Sequence, residues 1–235
     1  IWGCAFCAIA ALCIFLSSNY DREKRWYLIL MESFASMLLL MDAMAHIFSG
    51  YPGVPGSVMV RISSFLVFLL SDVVLLCFHI YVCVYLFSKR ERRTLKRVKA
   101  GYVIAAAGAA FVVISQFTHW YYYIDGDNCY HRAPLYIMSI LLPVAGMFID
   151  LTLLLQYKKR VSRKLLFSML SCIVLPAVAA AVQAFWYGMS LIDFSVGISM
   201  IIMFIVTMTD LNQEMYQLIS REGKIKERLE IATIL

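Results

Sequence analysis

Asp42 and His46 stand four residues apart, a spacing that puts a carboxylate and an imidazole on one face of a helix. Gln116 and His119 form a similar pair, and Gln183, Trp186 and Asp193 add an amide, an indole and a second carboxylate. A small-molecule site needs a few convergent polar groups among aromatic walls. Trp120 and the tyrosines at 121, 122, 123 and 130 supply the aromatic part. An imidazole that titrates near neutrality also suits pH sensing, which makes His46 and His119 candidates for that role. A second set reads as a coupling network leading inward from such a site: Asp72 and His79, seven apart on one helical face, with Asp150 and Asp210. Taken singly, any of these residues also reads as polar glue between helices, at about 0.6 kcal/mol per contact.

The elements that must position these groups are apolar. Of the 235 residues, 62% are hydrophobic and 15% charged, with a mean hydropathy of +0.78. That is too much apolar surface for a soluble domain of this length. Nineteen of the 21 Lys and Arg residues fall in stretches 17–25, 88–99 and 156–164 and in the tail beyond 220, leaving only Arg61 and Arg132 elsewhere. Cationic connections are retained on the cytoplasmic side of a bilayer. The alternation therefore predicts an all-α bundle of seven membrane helices, N-terminus outside and C-terminus inside. The net charge of +6 is read as topology and lipid contact, and no nucleic-acid partner is expected.

Spans of about 20 apolar residues are expected near 1–17, 26–48, 58–87, 98–118, 133–157, 165–186 and 191–208, with turn chemistry at 49–56 and an aromatic outer loop at 119–132. Pro143 and Pro176 fall in mid-span, where each should kink its helix and release a carbonyl. Glu32 should meet a loop cation. Cys4, Cys7 and Cys129 lie toward the outer face, where one disulfide is conceivable, but free thiols are the better reading of seven scattered cysteines.

From Leu211 the hydropathy falls while the helical pattern persists. Leu211, Met215, Leu218, Glu222, Ile225, Leu229 and Ala232 follow one another at alternating gaps of four and three, as in a coiled-coil seam. Leu211, Met215, Leu218, Ile225 and Leu229 are the apolar seam residues expected to pair two copies of the chain, and Glu222 with Gly223 interrupts them. The alternative is an amphipathic helix resting on the inner leaflet, with Arg221, Lys224, Lys226 and Arg228 near lipid phosphates. The chain thus divides into a membrane domain, 1–210, and a signalling helix, 211–235. The helix reaches its last residues without a stop signal, so a cytoplasmic domain is expected beyond it.

Seven spans, the basic junctions and the stretch from Ser220 to Ala232 resemble the sensor half of bacterial membrane signalling proteins. These are the seven-transmembrane modules that precede GGDEF diguanylate cyclases, histidine kinases or PP2C-type phosphatases. The resemblance implies an inner-membrane module without catalysis of its own. It would receive a small or lipid-like ligand from the outer half and drive an output enzyme, a cyclase first, through a homodimeric helix. No cofactor or metal is implied. Two other classes compete. An intramembrane metal-dependent hydrolase would use Asp42, His46, Asp72, His79 and His119, but zinc needs three ligands at one depth, and His79 is expected deeper than His46 and His119. A small-solute or ion transporter lacks the expected internal repeat.

Overall fold

The computed structural model describes residues 1–17, 21–185 and 190–234, without the side chains at 184, 214, 218, 224 and 226–234. Helices α1 (Trp2–Leu16), α2 (Arg22–Phe48), α3 (Gly53–Leu86), α4 (Lys89–Thr94) and α5 (Lys96–Thr118) come first. A short hairpin follows, β1 (Tyr122–Ile124) and β2 (Tyr130–Arg132), and then α6 (Met138–Tyr157), α7 (Arg163–Phe185) and α8 (Leu191–Ile234). Among the described residues six helices are long and apolar enough to cross a membrane: α2, α3, α5, α6, α7 and α8. This is the arrangement of a multi-pass membrane protein. The first expected span is the 15-residue α1, shorter than these six. It lies against α2, where Ser36 Oγ donates to the Cys4 carbonyl at 2.9 Å.

Local chemistry sets the helix ends. The Asp21 carboxylate accepts from the Glu23 and Lys24 amides at 3.1 Å and starts α2. Ser88 and Glu91 form a capping box that starts α4. The turn between α2 and α3 contains Gly50 and Gly53, at φ +74° and +84°, a region that residues with a Cβ rarely enter. That turn is tied to the hairpin. The Gly50 amide donates to the Asn128 carbonyl at 3.0 Å, and the Asn128 side-chain amide donates to the Tyr51 carbonyl at 3.0 Å.

The opposite end of the bundle gathers the basic stretches. Arg92 pairs with Glu23 at 2.9 Å, Arg160 with Glu91 at 3.2 Å, Arg97 with Gln156 and Lys164 with Gln213. The stretches 17–25, 88–99 and 156–164 therefore share one end of the molecule. Between the ends, the core is built from α2, α3, α6, α7 and α8 around Met31, Leu38, Tyr81, Leu154, Met169 and Met203. Phe117, Phe148, Phe167 and Phe194 face outward, an exposed apolar perimeter that suits acyl chains.

Two expectations change. The outer loop folds into the β1–β2 hairpin, registered Tyr122 against Arg132 and Ile124 against Tyr130. Glu32 meets no cation among the described residues: it is 0% exposed and lies next to the Cys7 thiol. The seventh span runs on into the tail as one helix, as the persisting pattern predicted: α8 is 44 residues long. The side chains of Leu218 and Leu229 lie outside the described residues, as does Trp186. Of the other seam residues, Leu211 is half-buried and Met215 and Ile225 are exposed. All seven cysteines, Cys4, Cys7 and Cys129 included, are free thiols.

Candidate functional site

A cavity of about 340 Å³ opens at the hairpin end, between α2, α3, α5, α6, α7 and α8. Its volume falls within the range of about 300–1,000 Å³ of small-molecule sites. Asp42, His46, Gln183 and Asp193 line it, and Asp72 lines it as well. Pro143 and Pro176 both stand in its wall. Each proline leaves the carbonyl four residues earlier, Ser139 and Cys172, without its helical N–H.

At the mouth, the Ser190 hydroxyl bridges α2 and the start of α8. It donates its one proton to Asp42 Oδ1 at 2.7 Å, so its oxygen accepts from His46 Nε2 at 2.9 Å. That fixes a proton on His46 Nε2. The Gln183 side-chain oxygen accepts from the Ile192 amide at 2.9 Å, which closes the first turn of α8. The Arg132 guanidinium lies 4.4 Å from the Tyr136 ring centroid and donates to the Gln183 carbonyl at 3.2 Å. Gln183 is thus a structural clasp as well as a lining residue.

Deeper in, the arrangement is governed by glycine. A Cβ on Gly108 would stand 2.8 Å from Asp72 Oδ2, so the Asp72 carboxylate rests where α5 carries no side chain. One heptad below, the His79 ring rests on Gly101 in the same way. His79 Nε2 donates to the Val98 carbonyl at 3.0 Å. Because that carbonyl only accepts, the 2.5 Å contact between His79 Nδ1 and Asp150 Oδ1 contains one further shared proton. His79 and Asp150 are buried and lie outside the lining of the main cavity. Above Asp72 sits Tyr121, whose buried hydroxyl has no hydrogen-bond partner among the described residues. Its phenol is pushed up to about 12, by burial first and by the Asp72 carboxylate second.

Three expected ligand residues sit elsewhere. His119 takes the left-handed conformation, φ 54°, that ends α5, so the helical face shared with Gln116 stops one residue too soon. It is exposed. Gln116 turns to the hairpin and accepts from the Tyr122 hydroxyl at 3.1 Å. Trp120 packs beside Phe111, half out of the protein. Asp210 accepts from the Ser162 hydroxyl at 3.1 Å at the basic end, far along α8 from the cavity.

No protein-family model, curated protein or solved structure matches this chain. Its chemistry must be read from the site alone. Ser190, Arg132 and Tyr136 line the cavity without having been candidates. Among the described residues, no three His, Cys, Asp or Glu side chains stand close enough to hold one metal ion. His46, His79 and His119, the imidazoles that a metal hydrolase would need together, occupy three separate environments.

Proposed function

We propose that this chain is the membrane-embedded sensor module of a bacterial signalling protein. In this reading it has seven spans, α1 being the first, with the N-terminus outside and the basic end of the bundle in the cytoplasm. It binds a small or lipid-like ligand in the cavity and controls a cytoplasmic output enzyme, a diguanylate cyclase by preference, through a homodimeric helix. Its setting is the bacterial inner membrane. One observation carries the reading. The helix that walls the cavity with Ile192, Asp193 and Val196 is the same helix that runs without a break through residue 234. Whatever occupies the cavity therefore touches the element that leaves the bundle, and a change in that element's tilt or rotation is a recognised way to alter a dimer. Tyr216, Ile219 and Ile225 on its distal part are exposed, which leaves apolar surface for a second copy.

The test uses the gene product in bacterial cells carrying a fluorescent reporter of cyclic di-GMP. Ala180→Trp fills the cavity from its wall. Asn212→Pro interrupts α8 at an exposed position, where a helix-interior proline costs about 3 kcal/mol. Output altered by the first and abolished by the second supports transmission along α8. Unchanged output in both variants, with both inserted at wild-type levels, refutes it.

A further inference from the structure

The cavity is chemically lopsided. Among the described residues of the lining, Asp42, Asp72 and Asp193 contribute three carboxylates, while Arg132 contributes the one guanidinium and His46 an imidazole. The basic groups are already engaged: Arg132 with Gln183 and Tyr136, and His46 with Ser190. Asp42 likewise accepts from Ser190. Asp72 differs. It is 7% exposed, it lines the cavity, and no hydrogen bond reaches its carboxylate among the described residues. Asp193 is as deeply buried, lines the same space, and likewise has no donor among the described residues.

A carboxylate withdrawn from water without a donor is costly to keep, and a cation supplied from outside removes that cost. The neighbours do not supply one. Gly108 presents bare backbone beneath Asp72, and the Tyr121 hydroxyl near it has a proton to donate but no partner among the described residues. Phe68, Tyr121, Tyr130 and Tyr136 make the upper wall aromatic, and Leu38 and Met147 belong to the aliphatic part. Faces of aromatic rings attract ammonium groups and exclude carboxylates. A bare metal ion does not suit the space, because its acids are not grouped as a ligand set.

The geometry points to an organic ammonium compound with an apolar or aromatic body as the occupant of this cavity, its charged nitrogen on Asp72 and its body against Phe68 and the tyrosines. This rests on the sensor reading for the site's purpose, but the recognition chemistry follows from the lining itself. Asp193 and Asp42, nearer the mouth, draw the cation inward. An anionic ligand of the same shape would meet three carboxylates and is excluded.

Three probes with the same phenethyl body separate charge from shape: phenethylammonium, 2-phenylethanol and phenylacetate. Binding to the purified protein in phosphatidylglycerol nanodiscs is measured by equilibrium dialysis. The ammonium should bind at least about tenfold more tightly than either isostere, and Asp72→Asn should weaken it by about tenfold or more. Asp193→Asn is the second variant, with a smaller loss expected. An unchanged thermal midpoint certifies that each variant is folded. Nanodiscs containing phosphatidylethanolamine distinguish the source of the nitrogen: retained binding indicates a dissolved amine, whereas competition indicates a lipid headgroup with the same ammonium chemistry. Equal binding of the three probes, preference for phenylacetate, no binding by any of them, or a preference that survives both substitutions would overturn the assignment. Tight phenylacetate binding would leave ligand sensing intact and remove only the charge class. The sensor reading fails separately, through unchanged output in Ala180→Trp and Asn212→Pro.

Discussion

Replacing Gly101 by alanine tests the packing of the buried His79–Asp150 pair. The added methyl would collide with the His79 ring, which is held elsewhere by Asp150 and by the Val98 carbonyl. The ring has no retreat that keeps both bonds. Alanine favours an interior helix position over glycine by about 1 kcal/mol. Against this, overpacking a core costs about 1–3 kcal/mol. Losing a charge-assisted hydrogen bond costs about 1.5–3 kcal/mol more. The expected net loss is about 1.5–5 kcal/mol. Gly223 provides the control, since nothing lies within 4 Å of its Cβ position. Gly223→Ala should be neutral or stabilising by up to about 1 kcal/mol. Equilibrium unfolding in mixed micelles, followed by circular dichroism, reads both variants. A cycle with His79→Ala separates the cause, because the methyl should cost less once the ring is gone. Should Gly101→Ala unfold at or beyond the wild-type midpoint, the seating of His79 on α5 would be refuted.

Two further tests address the ends of the bundle. The half-buried Asp125 carboxylate is held below its ordinary value of 3.8, first by the Cys129 amide, then by His131 and the Asp127 amide. The ionised form therefore favours the native hairpin: its contribution is complete above the ordinary value and is lost as pH falls through the lowered one. Amide resonances of Asp127 and Cys129 should move together on acidification below about pH 4, and not in Asp125→Asn; amides that stay put would show that the carboxylate does not order the turn. At the other end, Arg160 donates to the Leu86 carbonyl at 2.7 Å and lies 5.1 Å from the Tyr157 ring centroid. Arg160→Ala should lower the thermal midpoint by about 4 °C or less, since its pair with Glu91 is half-exposed and screened. A difference in thermal midpoint that is independent of salt would assign the effect to ring packing instead.

The membrane helices were legible because hydropathy is a property of whole segments, and small shifts of a boundary leave it intact. The positions of α2, α3, α5, α6 and α7 follow the apolar runs to within a few residues. The cavity was legible where a helix carried the pattern: Asp42 and His46 do share a face, with 3.6 Å between them. It failed at an interruption. His119 adopts the αL conformation, so counting residues from Gln116 no longer gives a direction. Ser190 precedes α8 and Arg132 ends a three-residue strand, too little pattern for either to signal a role in the site. Glu32 shows the converse, an acid expected at a loop cation that burial isolates instead. A stronger signal lay in two matched intervals. Asp72 and His79 are seven apart, and Gly101 and Gly108 are seven apart. Equal separations on neighbouring antiparallel helices are what two bulky polar groups need when each is to rest on a bare backbone.

The length of α8 gives it the mechanics of a lever. From Val196 at the cavity to Ile234 there are 38 helical steps, about 57 Å at 1.5 Å per residue. A pivot of about 5° at the cavity wall would sweep the far end sideways by about 5 Å, roughly one helical pitch, while side chains near the fulcrum moved by less than a bond length. If α8 moves as one shaft, a disturbance too slight to disrupt the packing at its fulcrum becomes a displacement of several ångströms at Ile234.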